Sequence, residues 1–174
     1  MITAPTSETF ATYYETYISK LAGKDPMRML ESSILDLKVL LSGVPDEKEN
    51  FRYAEGKWSV KEVVGHMIDT ERIMACRALC IARGEKKSLS GFDENEYVVQ
   101  AKFDKRSLYE LSHEFGFVRE ATISLFKTFS MEDLDRKGIA NDNPVTPRAL
   151  LYIIAGHHLH HQNVLKEKYL FDIL

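Results

Sequence analysis

Six histidines carry most of the chemistry open to this sequence: His66, His113, His157, His158, His160 and His161. Four of them fall in the run Gly156-His157-His158-Leu159-His160-His161. On a helix, residues four apart lie one turn apart on nearly the same face, with Cβ atoms about 5–6 Å from each other. His157 and His161 have that spacing, so both imidazoles can reach one metal ion. They also continue an apolar stripe of Leu150, Ile153, Ile154 and Leu165. Two imidazoles on one core-facing stripe need partners for their ring nitrogens, and a shared metal supplies them. His158 and His160 fall to either side as flanking groups.

A pair is not a site, so a third ligand is required. His66 lies close to the apolar stripe of its own segment, among Val63, Met67, Thr70 and Met74. His113 is two residues from both Leu111 and Phe115, off the seam, and reads as a surface residue. The alternative is that all six are ordinary buried or surface histidines. Three neutral imidazoles leave one coordination position open, as in catalytic zinc sites. A metal there lowers the pKa of a water or thiol and provides a nucleophile near neutral pH. Zinc and nickel are the expected ions, although imidazole also accepts copper and iron.

The elements that must position these residues read as helices. Asp25-Pro26 caps and starts one that ends near Gly43. Ser59 with Glu62 makes a capping box for a helix reaching about Arg83, and Ser107 with Glu110 makes another. From Ser107, the residues Leu108, Leu111, Phe115, Val118, Thr122, Leu125 and Phe129 recur by threes and fours, the seam of a bundle helix. Thr146-Pro147 opens the last helix, expected to run to about Leu170. A further helix is expected from Thr6 or Ser7 to Ala22, and a short one over Asp93 to Lys102. Asn141 to Pro144 reads as loop. No segment alternates with period two long enough to argue a strand. The pattern is an all-α four-helix bundle with additional short helices, in one domain over 1–174.

Composition narrows the function classes. The chain has 174 residues, 44% hydrophobic and 28% charged, the balance of a globular protein. Its formal net charge is −3, and Lys86-Lys87 and Lys102 to Arg106 are too short to form a basic face, so nucleic acid is not an expected partner. The N-terminus lacks the charged and apolar regions of a signal peptide, and no apolar run reaches the length of a membrane span. The cytoplasm is the expected compartment. Cys76 and Cys80, four apart on a helix, read as free thiols.

Two motifs in order resemble a known family. Trp58-Ser59-Val60-Lys61-Glu62-Val63-Val64-Gly65-His66, followed by Asp69 and Glu71, is similar to the W-S-x-x-[E/D]-x-x-x-H signature of the DinB/YfiT-like superfamily. His157 to His161 resembles its closing H-x-x-x-H motif, with His161-Gln162-Asn163-Val164 where relatives often carry H-R-G-Q. The resemblance covers about Met27 to Leu170. It implies a four-helix bundle, a divalent metal on His66, His157 and His161, and a homodimer. It also implies an activity of the kind found in the family: a thiol-dependent S-transferase like the bacillithiol transferases, or a related hydrolase. A small-molecule thiol and an electrophilic substrate would then be the partners. The alternative is a non-catalytic metal-binding or dimerisation module.

Other residues carry two readings. Asp69, three after His66, can orient that imidazole as an acceptor, or lie solvated on the helix surface. Glu71 reads mainly as a solvated carboxylate, with a base as the second reading. Trp58 reads as a plug before the helix cap, with a substrate wall second. Arg77 can meet an anionic substrate or lie in solvent, and Phe92 to Tyr97 can cover the pocket.

Overall fold

The computed structural model describes residues 2–170. The ends of the expected domain, residue 1 and residues 171–174, lie outside the described residues. The chain opens with short turns in which Glu15–Ile18 (α1) is α-helical. Then come Pro26–Ser42 (α2), Val60–Ala82 (α3), Glu94–Ala101 (α4), Leu108–Lys127 (α5) and Met131–Asp135 (α6). A small hairpin of Gly138–Ala140 (β1) and Asn143–Val145 (β2) precedes Pro147–Val164 (α7), which continues as a π-helical turn over Leu165–Tyr169.

The long helices begin where their caps dictate. The Asp25 carboxylate accepts the amides of Met27 at 2.9 Å and Arg28 at 3.3 Å, with Pro26 next to it at the first helical position. Ser59 with Glu62 and Ser107 with Glu110 form reciprocal capping boxes. Thr146 accepts the amide of Ala149 at 3.2 Å. Each cap satisfies amides that the helix itself leaves open.

These helices pack as a four-helix bundle in which α3 lies against α5 and α7, and α2 against the same two. Consecutive long helices α2 and α3 therefore sit across a diagonal. Arg72 meeting Glu114 and Arg83 lying over Phe129 run α3 and α5 in the same direction. His66 near the start of α3 meets His157 and His161 near the end of α7, so those two run antiparallel. This crossing is what brings the histidines together.

The interior is two apolar clusters, one including Leu30, Met74, Ile123 and Leu150, the other Leu37, Ile68, Phe115 and Leu165. Between them each long helix contributes a buried polar residue: Ser33, Glu71, Arg119 and His158. Glu71 is not the solvated carboxylate expected. It is 3% exposed and pairs with Arg119, which is 1% exposed, through contacts of 2.8, 3.0 and 2.7 Å. Arg119 also donates to Ser33. The seam of α5 thus runs through Arg119, with Val118 and Leu125 only partly buried.

Two expectations about the elements change. The helix expected over Thr6 to Ala22 is broken into short turns, with α1 as its α-helical part. Its backbone lies directly on α7: a Cβ at Gly156 would overlap the carbonyl of Tyr17. The stretch expected as loop around Asn141 is the turn of the β1–β2 hairpin. Asn141 and Asp142 both take positive φ, 49° and 57°, which matches the twist of a tight antiparallel turn. Cys76 and Cys80 are free thiols, as expected. Among the described residues, no helix is long and apolar enough to cross a membrane.

Candidate metal centre

The capping box at Ser59 fixes the start of α3, and His66 follows in its second turn. Trp58, just before the cap, folds its ring against the His66 imidazole, with centroids 4.5 Å apart. From α7, His157 and His161 present their rings one turn apart, with centroids 4.4 Å from each other. His66 Nε2 lies 3.0 Å from His157 Nε2. One ligand nitrogen from each of the three residues lies within 4.8 Å of the others, and all three residues are buried. A tetrahedral zinc with bonds of about 2.0–2.1 Å requires nitrogens about 3.4 Å apart, so small ring rotations suffice. The three imidazoles that the sequence singles out are therefore together in space.

Electrostatics favour the neutral, ligating form of each ring. Burial, followed by the neighbouring imidazoles, pushes His66 down to about 4 and His161 down to about 2. The same causes, burial first, hold His157 well below the usual range. Neutral imidazoles are what a metal needs. His161 Nδ1 is buried and has no hydrogen-bond partner among the described residues. Such an orphan is costly in a core. An unpaired nitrogen, two facing Nε2 atoms and a donor set of neutral imidazoles fit a divalent ion well. Among the described residues no carboxylate or thiol belongs to the group, which offers three donors.

The orientation of His66 comes from Thr70, whose hydroxyl lies 3.4 Å from Nδ1. Asp69, considered for that role in the sequence, pairs instead with Arg72 at 3.6 Å. Arg72 in turn holds Glu114 at 2.7 Å on the α5 side. The geometry explains the substitution: the i+4 residue stacks above the imidazole, while the i+3 residue turns to the other flank. The remaining histidines divide. His158 is buried against Phe115, with centroids 5.5 Å apart and Nδ1 unpaired. His160 is half-buried beside Tyr17, and His113 is exposed beside Tyr109.

A cavity of about 270 Å³ opens directly onto the three imidazoles. Trp58, Tyr17, Tyr14 and Phe92 line it, and Arg77 stands in its wall. Tyr17 packs edge-on to His157 at 5.2 Å. Burial raises the phenol pKa of both Tyr14 and Tyr17, so they are O–H donors at neutral pH.

The family model of the DinB superfamily matches residues 29–165. The chain belongs to the DinB superfamily. No curated protein matches it. Its fold is similar to YfiT from Bacillus subtilis, a probable metal-dependent hydrolase with an unusual four-helix bundle topology. That likeness has TM-score 0.73 and 18% identity, and covers 90% of this chain and 86% of that one. It is also similar to a mycothiol-dependent maleylpyruvate isomerase, with TM-score 0.65 and 12% identity over 94% of this chain and 67% of that one. A DinB-like protein from Bacillus subtilis follows, with TM-score 0.57 and 21% identity over 80% and 85%.

Several residues that adjoin this cluster are not marked as such in the sequence. Thr70 sits in the apolar stripe of α3, where a Thr reads as filler. Tyr14 and Tyr17 arrive from a segment whose docking on α7 depends on Gly156, a glycine with no turn to mark it. Trp58 reaches the cavity, its second reading, and Phe92 lines it too, as its segment allowed.

Proposed function

We propose that the chain is a metal-dependent enzyme, with His66, His157 and His161 holding a divalent zinc or nickel ion and the adjoining cavity receiving substrate. The observation that carries this reading is the cluster itself: three buried, neutral imidazoles that open onto a cavity, with no fourth protein donor among the described residues. When bound, such an ion acts as a Lewis acid and lowers the pKa of a thiol or water presented to it. The chain's own residues do the rest. Thr70 holds the His66 ring, Trp58 and Tyr17 box the imidazoles, and the Tyr14 and Tyr17 phenols offer protons to an acceptor on the substrate. The apolar surround strengthens each of these contacts by excluding water.

Within this class the reaction we favour is thiol-dependent S-transfer, with ester or amide hydrolysis as the related alternative. The fold-level likeness to a probable metal-dependent hydrolase and to a mycothiol-dependent isomerase supports both. The test compares zinc-loaded and chelated protein with a low-molecular-weight thiol and a chromogenic aryl halide, and separately with a nitrophenyl ester. Zinc-dependent turnover of either, lost in His157→Ala, is the expected result. Zinc-loaded protein that turns over neither would leave a binding module.

A further inference from the structure

Arg77 is a buried cation without a counter-ion. It is 5% exposed, yet it forms no ion pair among the described residues. Its partners are neutral: the Ser90 carbonyl accepts from Nη2 at 2.5 Å, the Met74 sulfur from Nη1 at 3.6 Å, and the Tyr14 phenol oxygen is a further hydrogen-bond partner. The Phe92 ring lies 5.7 Å from its guanidinium carbon. Glu94 lines the same cavity but makes no ion pair with it. Elsewhere in the interior a buried arginine has its carboxylate: Arg119 has Glu71, and Arg148 has Asp135. A desolvated guanidinium with only neutral partners is unfavourable unless an anion joins it.

Its position states which anion. His66, Thr70, Met74 and Arg77 follow one another along one row of α3, and all four line the cavity. Eleven residues at 1.5 Å each put the Cα atoms of His66 and Arg77 about 16 Å apart along the helix axis, with the guanidinium reaching back as far as the Met74 sulfur. We propose that Arg77 is the anion-binding end of this cavity, and that the substrate is an extended small molecule with its reactive centre at the three histidines and a carboxylate at Arg77. A carboxylate matches the planar guanidinium fork. Glu94 in the same wall disfavours a doubly charged phosphate. Trp58 stands at the histidine end, and Tyr14 and Phe92 stand beside Arg77, so both ends offer aromatic surface to the apolar part of such a molecule. This deepens the proposed function and rests on the reading that the cavity is a substrate site.

The experiment uses the metal-free full chain, so that it does not depend on the ion. Trp58 is the chain's single tryptophan and lines the cavity, so its fluorescence reports occupancy. Phenylpropionate, its neutral amide and phenyl phosphate are titrated in turn, with calorimetry as a second readout. The expected result is carboxylate binding about tenfold tighter than the amide, an advantage that disappears in Arg77→Gln while amide binding is kept. Arg77→Lys is expected to retain part of the preference. Equal binding of acid and amide by the unmodified chain overturns the proposal, and needs no variant to fold. A preference that survives Arg77→Gln also overturns it, and tighter binding of phenyl phosphate overturns the choice of carboxylate. A parallel zinc titration separates the two readings: zinc affinity is expected to be unchanged in Arg77→Gln, whereas absence of zinc binding in the unmodified chain defeats the metal centre alone.

Discussion

The Glu71–Arg119 layer and the three-histidine cluster are neighbours inside one bundle, and they satisfy their polar atoms in opposite ways. Glu71 receives three contacts from Arg119, which also reaches Ser33 on a third helix. Within that trio the carboxylate and the guanidinium satisfy each other, although His158 beside them keeps an unpaired Nδ1. The cluster leaves the His161 Nδ1 unpaired, sets two Nε2 atoms face to face, and opens onto a cavity. One residue step on α7 separates the two regions, with His157 in the cluster and His158 in the wall of the small void shared with Arg119. The contrast teaches how to read buried polarity: a paired network holds helices in register, and a cluster of unpaired donors that opens onto a cavity is where a bound group is to be sought.

Breaking the paired network should have the largest effect on folding. Glu71→Ala leaves a buried guanidinium unpaired and is expected to cost about 3–5 kcal/mol, read from urea denaturation. Replacing both partners by apolar residues, Glu71→Leu with Arg119→Met, should recover most of that loss. A double variant as unstable as the single would mean that the layer stabilises through more than charge pairing.

Acid should come next, and it acts on the histidine cluster. His66 ordinarily titrates near 6.5 and is held at about 4 by burial. The unfolded chain therefore binds protons before the folded one does, and metal-free stability falls as pH drops from about 6.5 towards 4. His66 alone accounts for roughly 2–3 kcal/mol of that loss. Urea midpoints at pH 7.5 and pH 5 with chelator present check the sign; equal midpoints would show that the rings are not desolvated in solution.

Smaller effects separate the regions further. Thr70→Val removes the hydroxyl beside His66 Nδ1 while keeping the shape. It should weaken zinc binding by about tenfold and leave the urea midpoint within about 1 kcal/mol. Smallest of all is the stability change on removing a ligand. His161→Leu deletes an orphaned nitrogen, so the metal-free fold should be unchanged or slightly more stable. A loss comparable to Glu71→Ala would place His161 among the structural residues.

How much of this was legible in the sequence follows from the range of each interaction. Asp25, Ser59 and Ser107 act within three residues, so the helix starts could be read directly. The grouping of His66, His157 and His161 was legible in part: spacing and stripe direction singled out the residues but left ordinary histidines as the alternative, and the two family motifs supplied the set of three. Arg119 could not be read, because its partners lie on two other helices and a lone Arg in a seam reads as surface. The β1–β2 hairpin has three residues per strand, too few for alternation to register. The close docking of the N-terminal segment on α7 needs the missing Cβ of Gly156, which no local pattern announces.

The most direct test is calorimetric titration of zinc into the chelator-stripped chain, alongside the His157→Ala, His161→Ala double variant. One ion per chain in the unmodified protein, with binding lost in a variant that still melts as a folded bundle, is the result expected. Zinc bound equally well by both would contradict the assignment of these histidines.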